Sequence, residues 1–162
     1  MRLQNIAKIL SNKELVINEV VLSQAQKNNQ VIYGAKGFNK QVPTHLQKKT
    51  YDYDILTKSP HKSAKEVVEI LRRRIEGNIE IKKATHKGTY KVLINGVPTI
   101  DYTQMKHKPK TKKVWGNEVR DLKSIKRNAV RLSNKKGLEY RREKDLDTLS
   151  RIKEIERIES YF

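Results

Sequence analysis

The chain has 162 residues and a mass of 18.9 kDa, the length of one domain or of one domain with a helical appendage. It has no cysteine, which excludes a disulfide framework, a thiolate metal site and a cysteine nucleophile; its four histidines form neither an HxxxH nor an HExxH pair. Thirty-six Lys and Arg face 18 Asp and Glu, a formal net charge of +18, so a polyanion is the natural partner: nucleic acid, a nucleoside triphosphate or an acidic membrane surface.

The basic excess is localised. Residues 106–136 hold 12 Lys and Arg against only Glu118 and Asp121, whereas residues 139–162 hold six basic and seven acidic residues. That contrast argues for one basic surface. The apolar runs are too short to span a membrane, and the N-terminal stretch MRLQNIAKILSNKEL lacks the long apolar segment of a secretory signal. An intracellular, cytoplasmic, soluble protein is the expectation.

In chain order, Ser11 or Asn12 is placed to cap a first helix near 12–28, with Glu14 in a capping box and Val16, Ile17, Val20 and Val21 at helical spacing. Val31-Ile32-Tyr33 reads as a short buried strand entering Gly34. Residues 37–47 read as a short helix interrupted or ended by Pro43. Tyr51 to Leu56 reads as a strand carrying acids. Ser59-Pro60 opens a helix whose Ala64, Val67, Val68 and Leu71 face the core until Gly77 stops it.

A meander follows: Ile79 to Ile81, Tyr90 to Ile94, then a type I′ turn at Asn95-Gly96 and a return strand from Val97 to about Thr103. Gln104 to Val114 reads as a lysine-rich loop, and two helices near 117–133 and 138–160 close the chain. The division expected is a core over residues 1–105 and, packed on it, a basic loop with two helices over 106–162.

The chemistry centres on Asp52-x-Asp54. Aspartates are depleted in strands, and a pair at i and i+2 points to one face, where like charges demand a proton or a cation. Mg²⁺ takes such oxygen ligands together with phosphate oxygens. Asp101 completes a three-carboxylate cluster if its strand neighbours residues 51–56. The plainer alternative is a solvated strand end pairing with Lys48 and Lys49. Upstream, Val31 to Gly37 runs strand–glycine–helix, a junction whose amides suit a phosphate, with Lys36 as a nearby cation; it is equally read as an ordinary turn.

Taken together, strand–Gly34–helix–Asp52-x-Asp54–helix–strands–Asp101 resembles the nucleotidyltransferase superfamily. The stretch YGAKGFNKQVPTHLQKKTYDYDIL is most similar to catalytic subunits of poly(A) polymerases from large DNA viruses. There too a tyrosine-glycine turn, an asparagine in the next helix and a leucine-proline stretch precede Tyr-Asp-Tyr-Asp. Arg141 to Leu149 (RREKDLDTL) also resembles a basic-acidic helix near the end of such domains. The resemblance covers roughly residues 31–150.

It implies an α+β fold, a small mixed or antiparallel sheet flanked by helices with a C-terminal helical pair. It implies that Asp52, Asp54 and Asp101 hold two Mg²⁺ (or Mn²⁺) ions and that Gly34, Ala35 and Lys36 lie beside the triphosphate of an NTP such as ATP. Asp101, binding one of the two metals, would also accept the proton of the attacking hydroxyl. Ala35 stands where the family has a second glycine or serine, which implies weakened nucleotide binding. The chain stops short of the larger RNA-binding and base-selecting domains of full polymerases, so processive polymerisation by it alone is not expected.

The function read from this is transfer of an NMP from an NTP to a nucleic-acid hydroxyl with release of pyrophosphate. Arg120, Lys123, Arg127 and Arg131 follow 3, 4, 4 spacing, one stripe on the helix near 117–133, with Val119, Leu122, Ala129 and Val130 toward the domain. With Lys110, Lys112 and Lys113 of the preceding loop they form the expected nucleic-acid surface, RNA slightly ahead of DNA. Trp115 is read either as a base-stacking group or as an anchor for that helix. Two alternatives stay open: a non-catalytic nucleic-acid-binding module on the same fold, and transfer to a protein or small-molecule acceptor. A membrane patch lacks an amphipathic helix with aromatic anchors. A helper subunit or a homo-oligomer is left open.

Overall fold

The computed structural model describes the backbone of residues 3–162 and the side chains of residues 12–162. Seven strands form one mixed sheet in the order β3-β4-β5-β2-β1-β7-β6. The strands are β1 (Val31–Tyr33), β2 (Tyr53–Thr57), β3 (Ile79–Lys83), β4 (Thr89–Ile94), β5 (Val97–Gln104), β6 (Thr111–Val114) and β7 (Asn117–Arg120). β2 runs parallel to β5 and β1 parallel to β7; the other neighbours are antiparallel. The helices are α1 (Leu3–Lys27), α2 (Gly34–Asn39), α3 (Pro60–Arg74), α4 (Leu122–Ser133) and α5 (Arg142–Glu159), with 3₁₀ turns at Thr44–Leu46 and Glu139–Arg141.

Strand alternation separates a greasy face from a polar one. Ile32, Ile55, Ile100, Tyr102, Val92 and Val119 point to one side, where they pack with Val20 and Val21 of α1 and Ala64, Val67, Val68 and Leu71 of α3. α3 has the apolar face expected of it, opened by Pro60 in its first turn. The other face carries Tyr33, Asp54, Asp101 and Arg120. It is covered by a second, smaller core in which Phe38 of α2 meets Val42, Leu46 and Ile152 and Ile155 of α5, with Leu122 and Ile125 of α4 alongside.

Four local expectations are corrected. α1 begins at Leu3, so Ser11 and Asn12 lie inside the helix and not at its N-cap position; the side chain of Ser11 lies outside the described residues. The lysine-rich stretch is not all loop. Thr111–Val114 is an edge strand paired with β7 through a turn at Trp115-Gly116, whose φ values of 51° and 83° are those of a type I′ turn. Arg120 therefore belongs to β7, and α4 starts after Asp121, whose carboxylate accepts a hydrogen bond from the Ser124 amide at 2.7 Å. Val130, expected on the packing side, is 43% exposed, while Ala129 is buried.

Candidate active site

β1 ends in Tyr33, and Gly34 turns the chain into α2 with φ 63°, a left-handed conformation that side chains rarely adopt. A Cβ at Gly34 would lie 2.1 Å from Asp54 Oδ2, so the backbone passes against that carboxylate and only glycine fits. Across the sheet, Tyr33 pairs with Asp54, Asp54 with Asp101, and Asp101 with Lys91. The four therefore stand in one row on the polar face. Lys91 Nζ forms an ion pair with Asp101 Oδ2 at 3.0 Å. The Tyr33 hydroxyl donates to Thr103 Oγ1 at 3.2 Å, two residues further along the face.

Asp52 lies before β2 instead of within it, exposed, and accepts a hydrogen bond from Thr50 Oγ1 at 3.3 Å. The acidic strand of the sequence reading is therefore shorter at its start. Burial pushes the Asp54 carboxyl up to about 6, helped by the negative charges of Asp52 and Asp101 and opposed by Lys144 and Lys91. Burial likewise pushes the Tyr33 phenol up to about 12.

A cleft of about 310 Å³ opens over the Tyr33–Asp54 end of this row. Its floor is Tyr33, Gly34, Asp54 and Arg120; its walls come from Ala35 and Phe38 of α2, Asn128 of α4, and Arg141, Lys144 and Thr148 around α5. A second depression beside it joins Asp52 and Asp54 to Lys48, Lys49, Lys144 and Arg151. Lys48 reaches Thr148 Oγ1 and lies 5.4 Å from the Phe38 ring centre; burial lowers its ammonium pKa. Its backbone is clamped by Asn39, which donates to Lys48 O and accepts from Lys48 N, both at 2.7 Å. Arg141 binds buried Asp145 through two hydrogen bonds of 3.0 and 3.1 Å.

The sequence-derived candidates divide into those brought together and those held apart. Gly34, Ala35, Asp54 and Arg120 line the cleft; Asp52 and Asp101 flank Asp54. Lys36 lies with Nζ 4.8 Å from the Tyr53 ring centre, and Tyr53 points to the sheet face opposite Asp54. Lys123, Arg127 and Arg131 are exposed on α4, and Lys110, Lys112 and Lys113 are exposed along the hairpin. Sequence reasoning missed Lys48, Lys91, Arg141 and Lys144. The signal for two of these was present in the Arg141–Leu149 segment, singled out for its pattern and given no role.

Among the described residues, no three acidic or histidine side chains stand close enough to form a finished metal cage. The donor chemistry nevertheless fits a hard divalent cation: Asp54 and Asp101 are carboxylates in register on neighbouring strands, and burial with the nearby acids disfavours the charge of Asp54, which a cation would favour. Lys91 occupies part of Asp101, and Asp52 is turned to Thr50.

The fold that carries this glycine turn and these two acids is nucleotidyltransferase-like α+β. The chain belongs to the poly(A) polymerase catalytic subunit family, which it matches over residues 19–138. Among solved structures it is similar to the Megavirus polyadenylate synthase, with a TM-score of 0.76 and 20% identity, over 86% of this chain and 31% of that one. It is also similar to JHP933 from Helicobacter pylori, with a TM-score of 0.53 and 15% identity, over 88% of this chain and 64% of that one. The chain thus spans under a third of the Megavirus protein and just under two thirds of the bacterial one. No curated protein sequence matches it. Among the described residues, no helix is long and apolar enough to cross a membrane.

Proposed function

We propose that the protein transfers a nucleotide from an NTP to a hydroxyl of a nucleic-acid acceptor, releasing pyrophosphate, with RNA favoured over DNA. The observation that carries this is Asp54 pressed against Gly34 in a cleft whose opposite wall is basic, with Asp101 in register beside it on the next strand. Residues 1–105 supply the acids and the turn, and residues 106–162 supply Arg120 and the α4 and α5 wall.

In this reading Asp54, Asp101 and a rotated Asp52 hold Mg²⁺ or Mn²⁺. Bound there, the metal would lower the pKa of the acceptor hydroxyl and offset the negative charge that builds on the phosphates. Gly34 and Ala35 leave backbone open to the triphosphate. α2 is only six residues long, so individual N–H groups and not a developed helix dipole would contribute. Lys48, Arg141 and Lys144 face the acids across the cleft, where cations offset phosphate charge, and Arg141 is held in place by Asp145. Lys91 would have to release Asp101 for that carboxylate to hold a cation, and Asp101 would then be the group to take the hydroxyl proton. Lys36, lying over Tyr53, is left without a part in the cleft. Lys110, Lys112, Lys113, Lys123, Arg127 and Arg131 carry the acceptor's phosphates.

A second reading, a non-catalytic nucleic-acid-binding module, is favoured by the Lys91–Asp101 ion pair, which already neutralises one acid of the set. Incubation with each labelled NTP, Mg²⁺ or Mn²⁺, and RNA, DNA or tRNA separates the two. Extension of an acceptor supports transfer; tight acceptor binding without any labelled product supports the module.

A further inference from the structure

The β6–β7 hairpin ends in a residue that the cleft does not use. Trp115, the one tryptophan of the chain, is 94% exposed. It sits at φ 51°, the left-handed region where asparagine or glycine is ordinarily found in a type I′ turn. The turn is thus strained by a bulky residue, and the fold gains no burial from the indole.

The surroundings fit one partner. Lys113 precedes the turn, pairs with Glu118, and shares a sheet face with Thr111 and Arg120. Arg120 is in the floor of the cleft. The intervening acid, Glu118, is neutralised by Lys108 at 2.9 Å. Lys112 lies on the other face of the same strand, also exposed. A cationic track therefore runs from the cleft to an outward-facing indole, about 10 Å along the four residues of β7, the reach of about two nucleotides.

We propose that the hairpin tip is a subsite for single-stranded nucleic acid. An unpaired base stacks on Trp115, Lys113 and Lys112 hold the flanking phosphates, and the strand follows the hairpin to Arg120. Stacking tolerates any base because every base has a π face, and it needs a base freed from a duplex. Cationic neighbours suit the phosphates that flank a stacked base. The inference rests on the reading of nucleic acid as the acceptor and names how that acceptor is held.

Because Trp115 is the single tryptophan, its fluorescence reports on this site alone. Titration with a short oligoribonucleotide, without NTP or metal, is expected to quench it, whereas a duplex of equal length binds the cations and leaves it unquenched. Trp115→Asn suits the turn and should keep or raise the melting temperature. It should weaken binding of a dye-labelled single strand by roughly 5- to 100-fold in anisotropy, with Trp115→Phe recovering most of the loss. Unchanged fluorescence at saturating oligonucleotide, or wild-type affinity in a folded Trp115→Asn variant, overturns the proposal. A protein that quenches but transfers nothing contradicts the transferase reading and leaves this subsite standing; one that transfers without quenching does the reverse. Absence of any nucleic-acid binding contradicts both.

Discussion

Gly34 and Asp54 are built against each other. A Cβ on residue 34 would sit 2.1 Å from Asp54 Oδ2, and the left-handed φ of 63° independently disfavours any side chain there. The contact joins the two halves of the candidate site, since Gly34 borders the proposed phosphate position and Asp54 the proposed metal position. Gly34→Ala is therefore expected to strain the turn and displace the carboxylate together. The expected cost is about 2–4 kcal/mol by urea denaturation, with loss of transfer activity. A stable, active Gly34→Ala protein would mean that the close approach has no part in the site.

The raised carboxyl of Asp54 makes stability depend on pH. Its folded-state value of about 6 lies above the ordinary 3.8, so the folded protein holds this proton more tightly than the unfolded chain. That contribution is fully present below about pH 4 and is lost as pH rises through about 6. Asp54→Asn removes the penalty, so near pH 7.5 the metal-free variant is expected to be more stable than the parent by about 1–3 kcal/mol. The advantage should vanish near pH 4. Mg²⁺ should raise the parent's melting temperature at pH 7.5 and affect the variant less. Thermal scans at both pH values, with and without Mg²⁺, check the sign.

Arg141 and Asp145 form a two-bond pair in which the acid is buried and the base about one-third exposed. Removing the base leaves an unpaired buried carboxylate. Arg141→Met is expected to destabilise the fold by about 2–4 kcal/mol, whereas the double change with Asp145→Leu should recover much of it. A double-mutant cycle by chemical denaturation measures this. Additive effects would show that the pair is not coupled.

Much of this site was legible along the chain. The glycine after Val31-Ile32-Tyr33, the acids at 52 and 54 and the hairpin at Asn95-Gly96 are local signals, and β5 does place Asp101 beside Asp54. What lay hidden has physical reasons. β6 is an edge strand whose Lys112 and Lys113 point to opposite faces, so no apolar alternation marks it. Its turn puts tryptophan where asparagine is usual. The 3, 4, 4 spacing that placed Arg120 on a helix crossed a real boundary at Asp121, whose capping role needed a neighbouring amide to reveal it. Lys48 meets Thr148 from 100 positions away, a contact that no local pattern encodes. Likewise the Lys91–Asp101 pair follows from sheet register alone.

The most direct measurement is transfer of label from an α-³²P-NTP to an oligoribonucleotide with Mg²⁺ or Mn²⁺, comparing the parent with Asp54→Asn. Circular dichroism and oligonucleotide affinity confirm that the variant remains folded and binding-competent. The expected result is acceptor extension by the parent and loss of at least a hundredfold in rate for the variant, with acceptor affinity unchanged. Equal rates for both proteins, or no labelled product from the parent with any of the four nucleotides, would contradict transfer by Asp54 and its neighbours.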